Sequence, residues 1–382
     1  MSEPDTPPMT PLRHSSPFAR ASLLAYLILI LYASWYPFTG WQANNLSALP
    51  AVIRQWPRYW TLFDAGINVV GYIPFGMLIV FALYPRRVGW QAVLLGAVGA
   101  VVVSASAELV QYFLPSRVTS LLDFLTNASG GLLGALSAAL LTPLVLEKGR
   151  LQLLRKQWTY REASWEVVLL GLWPMAQLYP QAYLFGLGQI FPILSQHLSD
   201  IFEFDIDLGS LILHGWEFNA DAYLLAETFI TACGCSGAIL LSLSLLTPRA
   251  PKLRISALLL LFALTGKSLA SALLLNPDYA FAWLTPGARG GLLISLIMLY
   301  GFSFAPLHVQ RRLAFLLLSI SLVVLNLVPD NPYFAATMQT WIQGKFLNFN
   351  GAAQFLSLSW PFLALWILLL KPKAADIKVA VS

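Results

Sequence analysis

The stretch Ser104–Gly134, SASAELVQYFLPSRVTSLLDFLTNASGGLLG, decides how the chain is read. Two apolar segments meet in it at a short loop. Ser104, Glu108 and Gln111 are spaced i, i+4, i+7, which lines them up on one stripe of a helix. Pro115 stops that helix, because a proline removes a backbone donor and restricts the residue before it. Ser120 is the expected N-cap of the next helix, with Asp123 in its first turn, where free amides and the helix dipole favour a carboxylate. Asp123, Asn127 and the glycines Gly130, Gly131 and Gly134 then share a face, and the glycines admit a neighbouring backbone. Asp123 can be a cap residue and Asn127 a packing hydrogen bond. Glu108 is harder to explain that way: it lies roughly 8 Å inside the helix end, and ionisable groups at membrane depth are rare and mostly functional or paired.

The surrounding chain makes that depth a membrane depth. It has 382 residues, of which 58% are hydrophobic and 11% charged, with a mean hydropathy of +0.68. Such a composition belongs to a polytopic membrane protein. The fold class expected is all-α, a transmembrane helix bundle. Apolar runs of spanning length cover 18–36, 67–84, 90–113, 122–146, 165–187, 222–246, 253–275, 288–305, 312–328 and 352–370, which makes about ten helices. The first run is too long for a signal peptide core and lacks a small-residue cleavage site, so it reads as an uncleaved anchor.

The domain organisation follows from these runs. A polar, proline-rich tail (1–17) is expected to be disordered. A four-helix membrane region (18–146) precedes a basic linker (147–164), a six-helix region (165–370) and a short tail (371–382). Lys and Arg set the orientation. The tails and alternate loops hold 17 of the 23 basic residues, the intervening loops 5, and Lys267 lies inside a run. That asymmetry predicts cytoplasmic termini and a loop 114–121 facing outward. The net charge of +5 is spread over these orientation signals, so no nucleic-acid partner is expected.

Other features are weaker. Cys233 and Cys235 sit among small residues and point in different directions on a helix, so they read as packing residues. The segment 188–221 has no Lys or Arg but carries Asp200, Glu203, Asp205, Asp207, Glu217, Asp221, His197 and His214. Its spacing fits no metal motif, and neither a metal nor a cofactor is expected. The apolar residues between (Ile201, Phe202, Phe204 and Ile206) suit a segment lying in the membrane interface. Glu227 and Lys267 are placed at roughly 8 and 12 Å from the outer helix ends and are expected to pair.

Three blocks carry a family resemblance. The second helix reads Asn68-x-x-Gly71-Tyr72-x-Pro74-Phe75-Gly76. The third reads Glu108-x-x-Gln111. The loop and fourth helix supply Arg117, Asp123, Asn127 and Gly131. In this order and at these separations, residues 25–145 resemble the VanZ-like membrane domain, named for a protein of glycopeptide-resistance clusters that raises tolerance to teicoplanin. Such domains also occur with exopolysaccharide and cell-surface loci. The family usually has an acidic residue three after the arginine; Ser120 stands there, which puts a mechanism with two loop carboxylates in doubt. The resemblance implies a cell-envelope role in a bacterial cytoplasmic membrane.

The candidate ligand-binding residues are Asn68, Glu108, Gln111, Arg117, Asp123 and Asn127. Asn68 is either an N-cap or an amide facing Glu108 and Asp123. Pro74 should bend the second helix, and Gly71 and Gly76 thin its surface. Arg117 either bridges Glu108 or Asp123, or holds a phosphate or carboxylate of a ligand. No nucleophile elbow, phosphate loop or zinc motif is present, so the enzymatic candidates are Glu108 and Asp123 as acid and base. Two function classes remain open: an outward-facing site that binds membrane lipids, a lipid-linked saccharide or a glycopeptide, and a membrane-embedded enzyme acting on such a substrate.

Overall fold

Long apolar stretches punctuated by Thr, Ser and Asn caps and by Pro and Gly fold here as helices. The computed structural model describes residues 16–45, 47, 56–57, 60–147, 157–159, 163–214, 218–329, 334 and 347–370. The tail before residue 16, most of the basic linker, Glu217 and the C-terminal tail lie outside the described residues. Twelve α-helices are described: α1 Pro17–Trp35, α2 Leu62–Leu83, α3 Trp90–Gln111, α4 Leu121–Thr142, α5 Ser164–Ala176, α6 Phe191–Phe202, α7 Leu208–Leu213, α8 Ala220–Leu245, α9 Lys252–Leu274, α10 Pro286–Phe302, α11 Leu307–Leu327 and α12 Leu347–Leu369. Extended pairing among the described residues is limited to one isolated bridge, Thr159 with Leu246. Eight of the described helices are long and apolar enough to cross a membrane: α1 to α4, α8, α9, α11 and α12. The chain is an integral membrane protein.

The expected ten full-length helices are therefore not all formed. The run 165–187 is helical only as α5, 13 residues long, with Pro174 inside it. The chain from 177 to 190 is irregular yet holds buried Tyr183, Leu184, Phe185 and Leu187. Pro180 and two glycines interrupt the ladder there while the side chains stay apolar, so hydropathy continues where the helix does not. The run 288–305 forms α10, which is apolar but only 17 residues long.

The chain divides into two compact units, one of residues 1–31 and 37–155, the other of 32–36 and 156–382. In the first unit, α2 packs most extensively on α4, and α3 lies against both. The α2–α4 contact is backbone on backbone. A Cβ at Gly76 would meet the Gly131 carbonyl oxygen, one at Gly130 that of Val69, and one at Gly134 that of Ile73. Such approach is the usual means of binding helices in lipid, where no hydrophobic force separates protein from solvent. Gly71 is different, since a Cβ there would meet nothing within 4 Å; its carbonyl accepts the Tyr26 hydroxyl of α1 at 2.8 Å. Phe75 belongs to the core, packed with Tyr72 and Ala100.

In the second unit α8 is the hub, flanked by α10 and α11. Cys233 and Cys235 are free and buried on it, as their small neighbours suggested. Gly291 of α10 seats on Thr231, and Gly237 of α8 seats on Leu318. The segment 188–221 forms two short helices with exposed Ile201, Phe202, Phe204, Leu211 and Ile212. One of its carboxylates acts locally, since Asp207 caps α7 by accepting the Gly209 amide at 2.9 Å.

Candidate functional site

The polar residues of the first unit gather where α3 ends and α4 begins. Ser120 is the N-cap of α4, its hydroxyl accepting the Asp123 amide at 3.4 Å. The backbone N–H of Ser120 donates to Glu108 Oε2 at 2.8 Å. Glu108, only 4% exposed, thus places a carboxylate at the N-terminus of a helix it does not belong to. Asp123 supplies a second one from the helix itself. Both sit where unsatisfied amides and the dipole favour negative charge. The Thr119 hydroxyl adds a bond to the Glu108 carbonyl at 3.4 Å.

Asn68 completes this layer. Thr61 is the N-cap of α2, accepting the Asp64 amide at 3.1 Å. The helix begins well before the apolar run suggests, and Asn68 is in its second turn rather than at its cap. Its side-chain amide donates to Asp123 Oδ1 at 2.9 Å. Each of the two carboxylates is thus fixed by a neutral amide, Glu108 by Ser120 and Asp123 by Asn68. Arg117 is half-buried on the loop, its backbone N–H donating to the Leu114 carbonyl at 2.9 Å. Gln111 is buried in the last turn of α3.

A second layer lies one helical turn deeper. Asn127, on the same face as Asp123, donates to the Ser104 hydroxyl at 3.2 Å. Tyr72, four residues after Asn68, brings its phenol beside Ser104 and Glu108; the hydroxyl is fully buried and makes no bond of good geometry. Each helix therefore contributes an i, i+4 pair: Asn68 and Tyr72 from α2, Ser104 and Glu108 from α3, Asp123 and Asn127 from α4. Residues at that spacing stack on one face.

Sequence reasoning passed over Tyr72 as a site residue. Its signal was the four-residue spacing from Asn68. It also missed the loop after α1. Gln42 N–H donates to the Phe113 carbonyl at 3.0 Å, the Asn44 amide to the Tyr112 carbonyl at 2.6 Å, and the Tyr112 hydroxyl to the Asn45 carbonyl at 2.8 Å. Residues 40–45 thus lie over the α3–α4 loop. No periodicity signals such a contact.

The site and its three helices fall inside one matched region. Residues 23–142 match the VanZ/LLP1 family model. The match runs from α1 to the end of α4 and includes all six candidate residues. Among curated proteins and solved structures, none matches the chain. Residues 23–142 are thus a VanZ-like domain, and α5 to α12 lie outside it.

Arg117 stands in the loop that joins the two helices carrying Glu108 and Asp123. A guanidinium there is suited to a phosphate or carboxylate. The carboxylates of Glu108 and Asp123 are acceptors, each already holding one amide.

Proposed function

We propose that the VanZ-like domain is a binding module of the bacterial cytoplasmic membrane whose polar cluster faces outward and holds an envelope lipid, a lipid-linked glycan or an amphiphilic antibiotic. The excess of basic residues in the tails and alternate loops supports the orientation. Placed this way, the 112–120 loop meets the outer leaflet, where such ligands present their headgroups. A role in glycopeptide tolerance or in cell-surface polysaccharide follows from changed access to these molecules.

The observation that carries the reading is the fixed position of the two carboxylates. Glu108 and Asp123 each accept a hydrogen bond from a neutral amide, which pins both to the helix frame. Each bond occupies one oxygen, Oε2 of Glu108 and Oδ1 of Asp123, and leaves the other to accept from a ligand. Two carboxylates held in this way form a polarised wall against which a ligand docks.

The test is mass spectrometry of molecules that co-purify with the full-length protein. A species enriched over the bulk membrane, and lost in Arg117→Gln while the protein stays folded, supports the reading. Equal retention of every lipid by wild type and variant contradicts it. Added teicoplanin serves as a second probe in the same measurement.

A further inference from the structure

Outside the VanZ-like domain, Lys267 has no obvious reason to be where it is. It lies on α9, 3% exposed, seven residues before the helix ends at Leu274. Its ammonium makes one hydrogen bond, to the Tyr179 carbonyl at 3.4 Å. That is a long bond and uses one of three donors. The acidic partner expected from the sequence is engaged elsewhere: Glu227 accepts the Thr285 hydroxyl at 2.6 Å and packs on Gly287. The expected Glu227–Lys267 ion pair does not form. A buried ammonium with a single weak partner is costly.

The surroundings show what it faces. A cavity of about 120 Å3 is lined by Lys267, Gln181, Ser271, Trp283 and Thr285 among others. Gln181 donates its amide to Ala176 and Ser357, but its buried Oε1 has no donor. The wall at Lys267 therefore holds unused donors, while the Gln181 Oε1 is enclosed by protein. The wall from Pro180 to Leu184 belongs to the irregular segment after α5. Non-helical backbone at membrane depth is tolerated where it is buried in protein or lines a cavity, and broken helices of this kind form binding sites in membrane transport proteins. Here side chains satisfy its carbonyls: Thr231 bonds Leu184 at 3.2 Å and Asn326 bonds Gly188 at 2.9 Å. Phe185 adopts a positive φ of 60° within it, an unfavourable conformation for a bulky residue and one that collects at functional sites.

The cavity also sits at a definite depth. It lies where α9 ends and α10 begins, beside Trp283 and the exposed Phe281. Aromatic residues at helix ends mark the level of lipid headgroups. A volume of this size admits a phosphate group.

We propose that this cavity is a second binding site, in which the Lys267 ammonium holds a phosphate group presented at headgroup depth. Lys binds phosphate as a point charge and needs no bidentate geometry. Glu227, which takes the Thr285 hydroxyl, is not among the residues that line the cavity.

Full-length protein in mild detergent, titrated with dioctanoyl phosphatidylglycerol and read by native mass spectrometry, tests this. Saturable binding of one lipid is expected, with the half-saturating concentration raised about tenfold or more by Lys267→Gln, equivalent to about 1.4 kcal/mol. Ala282→Trp fills the rim from an exposed position, leaves Lys267 intact, and should do the same. It decides the matter if Lys267→Gln does not fold. Dioctanoylglycerol, which lacks the phosphate, should not compete. Competition by inorganic phosphate, with binding of phosphate in the absence of lipid, assigns the site to a free anion; its failure to compete assigns it to the lipid headgroup. Wild-type affinity in a folded Ala282→Trp, or equal competition by dioctanoylglycerol, overturns the proposal and leaves Lys267 as a cap on the Tyr179 carbonyl.

Discussion

Asn68 on α2 donates its side-chain amide to the Asp123 carboxylate on α4 at 2.9 Å. The bond joins the two most closely packed helices of the VanZ-like domain at the level where Ser120 starts α4. It also fixes the direction of one of the two carboxylates in the site.

Asn68→Leu should therefore leave Asp123 without its side-chain donor and destabilise the domain by about 1–3 kcal/mol. The double variant Asn68→Leu/Asp123→Leu should recover much of that loss. Denaturation in mixed micelles measures both. Additive losses would show that the two residues are uncoupled.

The glycines of α2 give a sharper contrast. Gly76→Val must push the Gly131 carbonyl away, and overpacking of this kind costs about 1–3 kcal/mol or more. Gly71→Ala meets open space and should change the melting temperature little, or raise it. Equal damage from both would mean that the α2–α4 contact is not backbone on backbone.

That α4 takes a neighbouring backbone on its glycine face was legible in the sequence; that the backbone is α2's was not. Gly130, Gly131 and Gly134 fall on one face with Asn127, and Ser120 three residues before Asp123 is a capping signal that needs no tertiary information. Other features were not legible, for physical reasons. Apolar residues after Pro174 announce burial, and burial does not distinguish a helix from irregular backbone whose carbonyls are satisfied by side chains. The start of α2 was missed because Asp64 lowers the hydropathy of a first turn that Thr61 caps. Depth, with the short loop 247–252 between the two helices, suggested Glu227 as the partner of Lys267. Azimuth decides partners, and azimuth came from a segment with no periodic pattern.

Glu227 and Lys267 should accordingly be independent. Glu227→Gln and Lys267→Gln should add within about 0.5 kcal/mol, whereas Glu227→Gln and Thr285→Val should couple through their shared bond. Thermal unfolding of the single and double variants checks this. A coupling above about 1 kcal/mol between Glu227 and Lys267 would restore the ion pair.

Orientation is accessible to labelling. Ser116→Cys and Arg87→Cys place thiols at exposed positions on opposite ends of α3. In intact cells a membrane-impermeant maleimide should label Ser116→Cys and spare Arg87→Cys. The reverse pattern would put the polar cluster in the cytoplasm and remove its access to outer-leaflet ligands.

The central claim is that the cluster around Glu108 binds and does not turn over its ligand. The most direct measurement is mass spectrometry of the molecule held by purified wild type, Glu108→Gln and Glu108→Ala, before and after incubation. Glu108→Gln keeps an acceptor for the Ser120 amide, so ligand retention should stay within about threefold of wild type, a difference of under about 1 kcal/mol. Glu108→Ala should lose the ligand, and the wild-type ligand should keep its mass. A ligand whose mass changes on wild type, and changes on neither variant, would contradict the account and make Glu108 a proton-transfer residue.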